Sequence, residues 1–364
     1  MAAPAYDVVV GTGGIGSGMF LALHGNRTLG REESRAATLL DQRDYCKLHI
    51  VCHYVRRLLD PAVRVVPIGK VGDDAPGRDA LAAMRAEGLD VSLVAMAPRP
   101  TLFSVCFLYP NGDGGNITAT GSASDCVEPA DVQRAAPILY PHRDRAIALA
   151  LPEVPVATRA ALLDLATAAG ALRVATFVSQ EWEQVLRDGL LERVDLLAVN
   201  LDEAAALVES AASGGGTAGT AGTPSGTADG TADVIETGEG GAVGGAAGAI
   251  VEAVAHRLAA VNPRMSLVVT AGPQGSWAWD GRSLTHTAAL PVESVAGTAG
   301  AGDAHLAGLV VATARGVPLA AANRYATAVS GVAVRSRHTI DPDLTADRVR
   351  DAARSAGWEL PPGL

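Results

Sequence analysis

The chain is poor in cysteine, with four thiols (Cys46, Cys52, Cys106 and Cys126) in 364 residues. They are too few and too scattered for a disulfide framework, so reduced thiols are expected. It also lacks any uninterrupted apolar stretch approaching the roughly 20 residues of a bilayer span. The opening MAAPAYDVVV carries neither a basic flank nor a cleavable apolar block. No membrane association or export is expected, and the expected location is cytoplasmic. Cations are in the minority as well: 29 Lys and Arg stand against 39 Asp and Glu, a formal charge of −10. That balance argues against a nucleic-acid partner, whose surface would concentrate Lys and Arg, but is compatible with a local phosphate site.

What the chain holds in quantity is apolar sequence, 48% of its residues, enough at this length for a large core. Strand-like apolar runs recur at 7–10 (DVVV), 64–69 (RVVPIG), 102–109 (LFSVCFLY), 146–151 (AIALAL), 173–178 (RVATFV), 196–200 (LLAVN) and 266–272 (SLVVTAG). Several of them alternate with helix-patterned stretches, at 77–88, 156–170 and 301–316. Such alternation predicts an α/β fold: a mostly parallel sheet with helices on both faces and ligands beyond the carboxyl ends of the strands. We read residues 1–364 as one domain of this kind.

Some segments depart from the alternation. Of the 24 residues at 210–233, 21 are Gly, Ala, Thr or Ser, and the bias continues towards 248. Such a tract buries too little apolar surface to offset its ordering entropy, so about 210–248 is expected to be a disordered surface insertion. At 102–120, apolar residues flank Pro110-Asn111-Gly112-Asp113-Gly114-Gly115, which predicts a hairpin and with it a small antiparallel lid. The first apolar run ends in Gly11-Thr12-Gly13-Gly14-Ile15-Gly16. This has the spelling of a dinucleotide fingerprint, yet Gly18, Gly25 and Gly30 interrupt any following helix and no second strand ends in an acidic residue. What remains is a strand end that a ligand can approach closely for want of Cβ atoms. Nicotinamide-dependent oxidoreduction stays as a separate class that an NAD titration would exclude.

The stretch richest in chemistry is GTAGAGDAHLAG, residues 297–308. A glycine turn running straight into a helix gathers free backbone N–H groups at the positive end of the helix dipole, where an anion binds. Asp303, in that first turn, would sit beside a bound phosphate and accept a proton from an attacking hydroxyl. The same spacing also suits a tight turn with Asp303 as a helix cap.

This stretch resembles the C-terminal signature of the ribokinase-like, PfkB-type carbohydrate kinases, D-T-T-G-A-G-D-A-F-x-x-G. The resemblance implies a ribokinase-like three-layer fold with a small β lid. It implies Asp303 as catalytic base and the Gly300, Ala301 and Gly302 amides as an anion hole for the phosphoryl group of ATP, with Thr298 beside the nucleotide. Asn200-Leu201-Asp202-Glu203 resembles the family's N-x-x-E motif, implying that Asn200 and Glu203 organise Mg2+, mostly through water. Those residue types are also those of a helix N-cap with an acidic first turn. In VVTAGPQGSWAWDG (268–281), Thr270, Gly272 and Gly275 fall on the nucleotide-binding pattern v-T-x-G-x-x-G. Residues 66–92 resemble the scaffold segment i-G-x-v-G-d-D-x-x-G, where Gly69, Gly72, Asp73, Asp74 and Gly77 are read as mostly structural. In this frame Gly13, Gly14 and Gly16 floor the acceptor pocket, Lys47, His49 and Asn116 join them, and the lid comes from about 15–40 and 99–122.

The chain departs from the family pattern in places. The signature G-G-x-x-x-N-x-A is replaced by LLDQRDYCKLHIVCHYVRRLL at 39–59, so the acceptor pocket is rebuilt. Cys46, His49 and His53 there fall at i, i+3 and i+7, compatible in principle with a metal site, although lone Cys and His on an apolar helix usually belong to the core. Gly297 stands where the family has an aspartate that often supports a monovalent cation, which leaves potassium activation open, and His305 stands for phenylalanine. The resemblance implies ATP and Mg2+ as cofactors and a small-molecule acceptor. The expected reaction is phosphorylation of a hydroxyl of a sugar or sugar-like compound, with a nucleoside or sugar acid as the nearest alternatives. A non-catalytic sugar or nucleotide sensor on the same fold is the competing class, and retention of Asp303 argues against it. Lid-mediated homodimers occur in the family.

Overall fold

The computed structural model describes residues 6–111, 114–213 and 245–364, with the backbone alone at 41–44 and 211–213. Most of the expected insertion and the centre of the 110–115 turn lie outside the described residues. In chain order the first elements are β1 (Val8–Thr12), β2 (Gly16–Leu23), β3 (Ala37–Tyr45), α1 (Lys47–Leu58), β4 (Arg64–Gly72), α2 (Ala75–Ala86), β5 (Leu93–Ala97), β6 (Leu102–Leu108) and β7 (Gly114–Thr118). There follow α3 (Pro129–Gln133), α4 (Ala136–His142), β8 (Ala146–Ala150), α5 (Val156–Ala169), β9 (Leu172–Ala175), α6 (Trp182–Arg187), β10 (Leu196–Asn200) and α7 (Leu201–Ser213). The remainder is α8 (Ala246–Val261), β11 (Ser266–Thr270), β12 (Ser276–Trp279), β13 (Leu284–Thr287), α9 (Ala301–Ala314), α10 (Leu319–Ala333) and α11 (Ala346–Ser355).

Nine strands form one sheet in the order β13-β12-β11-β10-β9-β8-β1-β4-β5, parallel except at β11–β12 and β12–β13. Central strands buried on both faces need continuous apolar sequence rather than alternation. Val8, Val9 and Val10 are all fully buried, Val9 against α1 and α9, Val8 and Val10 against α4 and α5. At about 1.5–3 kcal/mol for each buried side chain of this size, such strands anchor the core. The layer on one face comprises α1, α2, α9, α10 and α11. Residues of α5 to α8 pack with β9 to β12 on the other side. α9 is apolar nearly all round, as a helix inside the protein must be, and Gly308 lets it approach α10 so closely that a Cβ there would lie 2.8 Å from Ala326 Cα.

A second sheet, ordered β3-β2-β6-β7, carries the expected β6–β7 hairpin at one end. Its β2 runs parallel to β6. Phe20, Ser104 and Cys106 are buried on one face of this sheet, whereas Leu39, Phe103 and Ile117 are exposed. In the scaffold segment, Asp74 caps α2 by accepting the Gly77 N–H and also holds the Thr101 N–H at 2.8 Å; such a cap is worth about 1 kcal/mol. Among the described residues, no helix is long and apolar enough to cross a membrane.

Candidate active site

The ends of β9, β10 and β11 deliver Thr176, Asn200 and Thr270 to the carboxyl edge of the large sheet, where they line one cavity together with Lys47, Glu203, Gly302 and Asp303. Open α/β sheets bind ligands at this edge.

The mouth of α9 forms one wall. Gly300 has φ +79°, and a Cβ on it would stand 2.5 Å from Thr339 O, so the turn requires glycine. The Ala301 N–H is already donated to Thr298 O at 3.1 Å, and Ala304 N–H starts the helical ladder on Gly300 O. That leaves the Gly302 and Asp303 amides at the open end of the helix. A Cβ on Gly302 would meet nothing within 4 Å, and the residue lines the cavity, so open space lies beside it at the helix mouth. Thr298 is exposed at the turn. Thr339, which presses on Gly300, is itself held: its Oγ1 accepts the Tyr45 N–H, and Tyr54 OH donates to its carbonyl and accepts the Asp341 N–H.

Lys47, the first residue of α1, places Nζ 3.2 Å from Asp303 Oδ1. The Asp303 carboxylate, despite the cost of burial and with help from Glu153 and Glu203, holds the Lys47 ammonium well above its ordinary pKa. The Lys47 backbone N–H donates to Glu153 Oε2 at 3.1 Å. Glu153 follows β8 and has φ +71°, a conformation uncommon for a residue with a side chain. Its carboxylate fills the room that Gly14 leaves, since a Cβ on Gly14 would lie 2.3 Å from Glu153 Oε2. Sequence reasoning missed this residue; the only signal was a Pro-Glu-Val-Pro turn directly after a core strand.

Asn200 and Glu203 form a reciprocal cap on α7: Asn200 N–H donates to Glu203 Oε2 at 2.9 Å, and Glu203 N–H to Asn200 Oδ1 at 2.8 Å. The capping geometry and a place in the cavity thus coexist in one pair. Burial pushes the Glu203 carboxyl up; the Asn200 amide and Lys47 oppose this, while Asp303 and Glu181 add to it. Hard oxygen donors from two carboxylates and an amide, near the open space beside Gly302, suit Mg2+, which keeps several of its own waters.

The turn after β11 holds Gly272 at φ +51° and Gly275 at φ +87°, and a Cβ on Gly275 would sit 2.1 Å from Thr287 O. The remaining expected residues are not brought into this cavity. Gly13 packs on Leu48 and Leu151, Gly16 on the Leu102 backbone, and Asn116 is exposed on β7, where it bonds Thr118. His49 turns away from Lys47, because residues i and i+2 do not share a helix face. Its Nε2 lies 2.9 Å from Glu87 Oε2, with His53 Nδ1 3.1 Å from the other oxygen. Cys46 precedes the helix, and among the described residues no group of three or more His, Cys, Asp or Glu is arranged to hold a metal ion. The Cys46–His49–His53 face is therefore core packing around Glu87.

The large sheet with helices on both sides, the small second sheet and the cavity at the strand ends define a ribokinase-like α/β protein. Residues 51–346 match the model of the pfkB family carbohydrate kinases, and the chain belongs to that family. The structure of ribokinase from Giardia lamblia is similar with a TM-score of 0.73 at 15% identity, covering 95% of this chain and 99% of that one. A Burkholderia thailandensis nucleoside kinase in complex with inosine gives 0.70 at 15% identity, covering 96% and 99%. Arabidopsis thaliana ribokinase complexed with ribose and ATP gives 0.64 at 17%, covering 97% and 100%. No curated protein sequence matches the chain.

Proposed function

We propose that the protein is an ATP-dependent kinase that phosphorylates a hydroxyl of a sugar or sugar-like small molecule. The observation that carries this reading is the meeting of Asp303 and the open Gly302 amide with the Asn200–Glu203 pair in one cavity. In the proposed reaction, an acceptor hydroxyl directed at Asp303 gives its proton to the carboxylate as its oxygen bonds to the γ-phosphorus. The bond to the bridging oxygen breaks, and ADP leaves with the electron pair. The amides at the mouth of α9 would stabilise the charge on the transferred group, chiefly Gly302 and Asp303, since the Ala301 N–H is engaged by Thr298. Bound Mg2+ would offset phosphate charge, held by Asn200 and Glu203 mostly through water. Thr270 and the Gly272–Gly275 turn would border the nucleotide.

The small sheet would act as a lid over the acceptor, excluding water during transfer. Asn116, exposed on β7, would meet the acceptor only with that lid closed, whereas Gly13, Gly14 and Gly16, buried after β1, would shape the pocket floor from beneath. The exposed apolar residues of the sheet would pair with a second copy in a homodimer. Cytoplasmic action fits the reduced thiols. No monovalent-cation requirement is proposed, because Gly297 brings no carboxylate and its N–H is donated to Val334 O.

ADP release from Mg-ATP across sugars, sugar acids and nucleosides tests the reading. One acceptor class should raise turnover well above the acceptor-free rate. ATP binding without any response would favour the sensor class, and tight NAD binding would overturn the kinase reading. A nucleoside acceptor is kept as the second reading because a nucleoside kinase shares the fold.

A further inference from the structure

A buried charged assembly stands behind the Asn200–Glu203 pair, and none of its members takes part in the proposed reaction. Arg159 on α5 has a fully buried side chain and makes a two-pronged ion pair with Glu181, one prong at 3.0 Å. Its guanidinium also reaches Thr176 O at 3.4 Å and stacks 5.3 Å over the Phe177 ring. Glu181 in turn accepts the Val178 N–H at 3.0 Å. The residue after Glu181 is Trp182, fully buried, and its indole N–H donates to the backbone carbonyl of Glu203 at 2.8 Å.

A buried guanidinium is costly to desolvate and is retained only when well paired. This one fixes the segment 176–182, and that segment touches the cavity twice, through Thr176 itself and through the indole on Glu203. The reciprocal Asn200–Glu203 bonds set the pair relative to its own helix; the indole bond ties that helix turn to the segment that follows β9.

We propose that Trp182, anchored by the Arg159–Glu181 pair, is a positioning residue that holds the first turn of α7 so that Glu203 and Asn200 face the magnesium site. This rests on the magnesium reading above. Removing Arg159 or Glu181 outright would strand a buried charge and unfold the region, so the sharper perturbation is Trp182→Phe, which keeps a ring and deletes the N–H.

The experiment is calorimetric titration of ADP at increasing Mg2+, reading the Mg2+ concentration at which the affinity gain is half complete. For Trp182→Phe this concentration should rise about three- to tenfold, the worth of one hydrogen bond, with Mg2+-free ADP affinity unchanged. Glu181→Asp, which keeps both charges but shortens the anchor, should shift it less in the same direction. Phe177→Leu, which removes the ring beneath the Arg159 guanidinium and 5.6 Å from Trp182 but leaves the Arg159–Glu181 pair and the indole bond, should lower the melting temperature and move the Mg2+ midpoint less than Trp182→Phe does. A folded Trp182→Phe protein with an unshifted midpoint, or an equal shift in Phe177→Leu, overturns the proposal. Should Trp182→Phe not fold, an unshifted Glu181→Asp overturns it. A wild-type protein whose ADP affinity ignores Mg2+ overturns the magnesium reading itself, before any variant is compared.

Discussion

Gly300 and Gly302 stand two residues apart at the mouth of α9, and alanine should act on them in opposite directions. At Gly300 the backbone is left-handed, which costs a residue with a side chain about 1–2 kcal/mol. The new methyl would also lie 2.5 Å from Thr339 O and 3.1 Å from Thr339 Cα. That backbone cannot easily withdraw, because Tyr45 and Tyr54 both bond Thr339. Overpacking of this kind adds about 1–3 kcal/mol, so Gly300→Ala should cost about 2–5 kcal/mol. At Gly302 the methyl would meet nothing within 4 Å, and alanine is the better helix former by up to about 1 kcal/mol. Gly302→Ala should therefore unfold at the same or a higher urea concentration, yet bind Mg-ATP more weakly, because the methyl fills open space at the helix mouth. Urea unfolding and ATP calorimetry on both variants check this. Equal destabilisation by the two, or a harmless Gly300→Ala, would refute the assignment of Gly300 to the turn and Gly302 to the anion.

Burial pushes the Glu87 carboxyl up, but His49 and His53 outweigh it and bring it down to about 2, against 4.5 for an ordinary glutamate. The stability this supplies is full above pH 4.5 and fades as pH falls towards 2, so Glu87→Gln should melt lower at neutral pH, by about 1–3 kcal/mol, and converge with wild type in acid. Lys47 opposes the upward shift of Glu203; in Lys47→Met, Glu203 should keep its proton to higher pH, and the pH below which Mg2+-dependent ADP binding fails, followed by calorimetry, should move up. Tyr54→Phe leaves the buried Asp341 N–H without its 2.6 Å acceptor and should cost about 1–3 kcal/mol in urea unfolding, while loosening the Thr339 backbone behind Gly300.

The large sheet was legible because its strands are buried on both faces and read as unbroken apolar runs, as in DVVV and LLAVN. β2 and β3 were not: GSGMFLAL is glycine-rich and half-buried, and ATLLDQRDY mixes charges into a strand of the small sheet. Helix ends moved for local reasons. The stretch expected at 301–316 stops at Ala314 because Gly316 turns left-handed, with φ +72°. The stretch expected from 77 begins at Ala75, since Asp74 supplies the cap and Pro76 suits a helix start. In the candidate site, Asp303 with its glycines and Asn200–Glu203 could be singled out because each set lies within a few consecutive residues that resemble a family motif. Glu153 and Trp182 were not, for their positions depend on contacts between separate elements. His49 was placed with Lys47 by proximity in sequence, and helical phase turned it to Glu87.

In the proposed reaction Asp303 takes the proton of an acceptor hydroxyl. The most direct measurement is acceptor-dependent ADP release by wild type and Asp303→Asn at saturating Mg-ATP, with ATP affinity and melting temperature measured on the same preparations. The variant should fold and bind ATP like wild type but lose turnover by at least about a hundredfold. Turnover within a few-fold of wild type would contradict this role of Asp303.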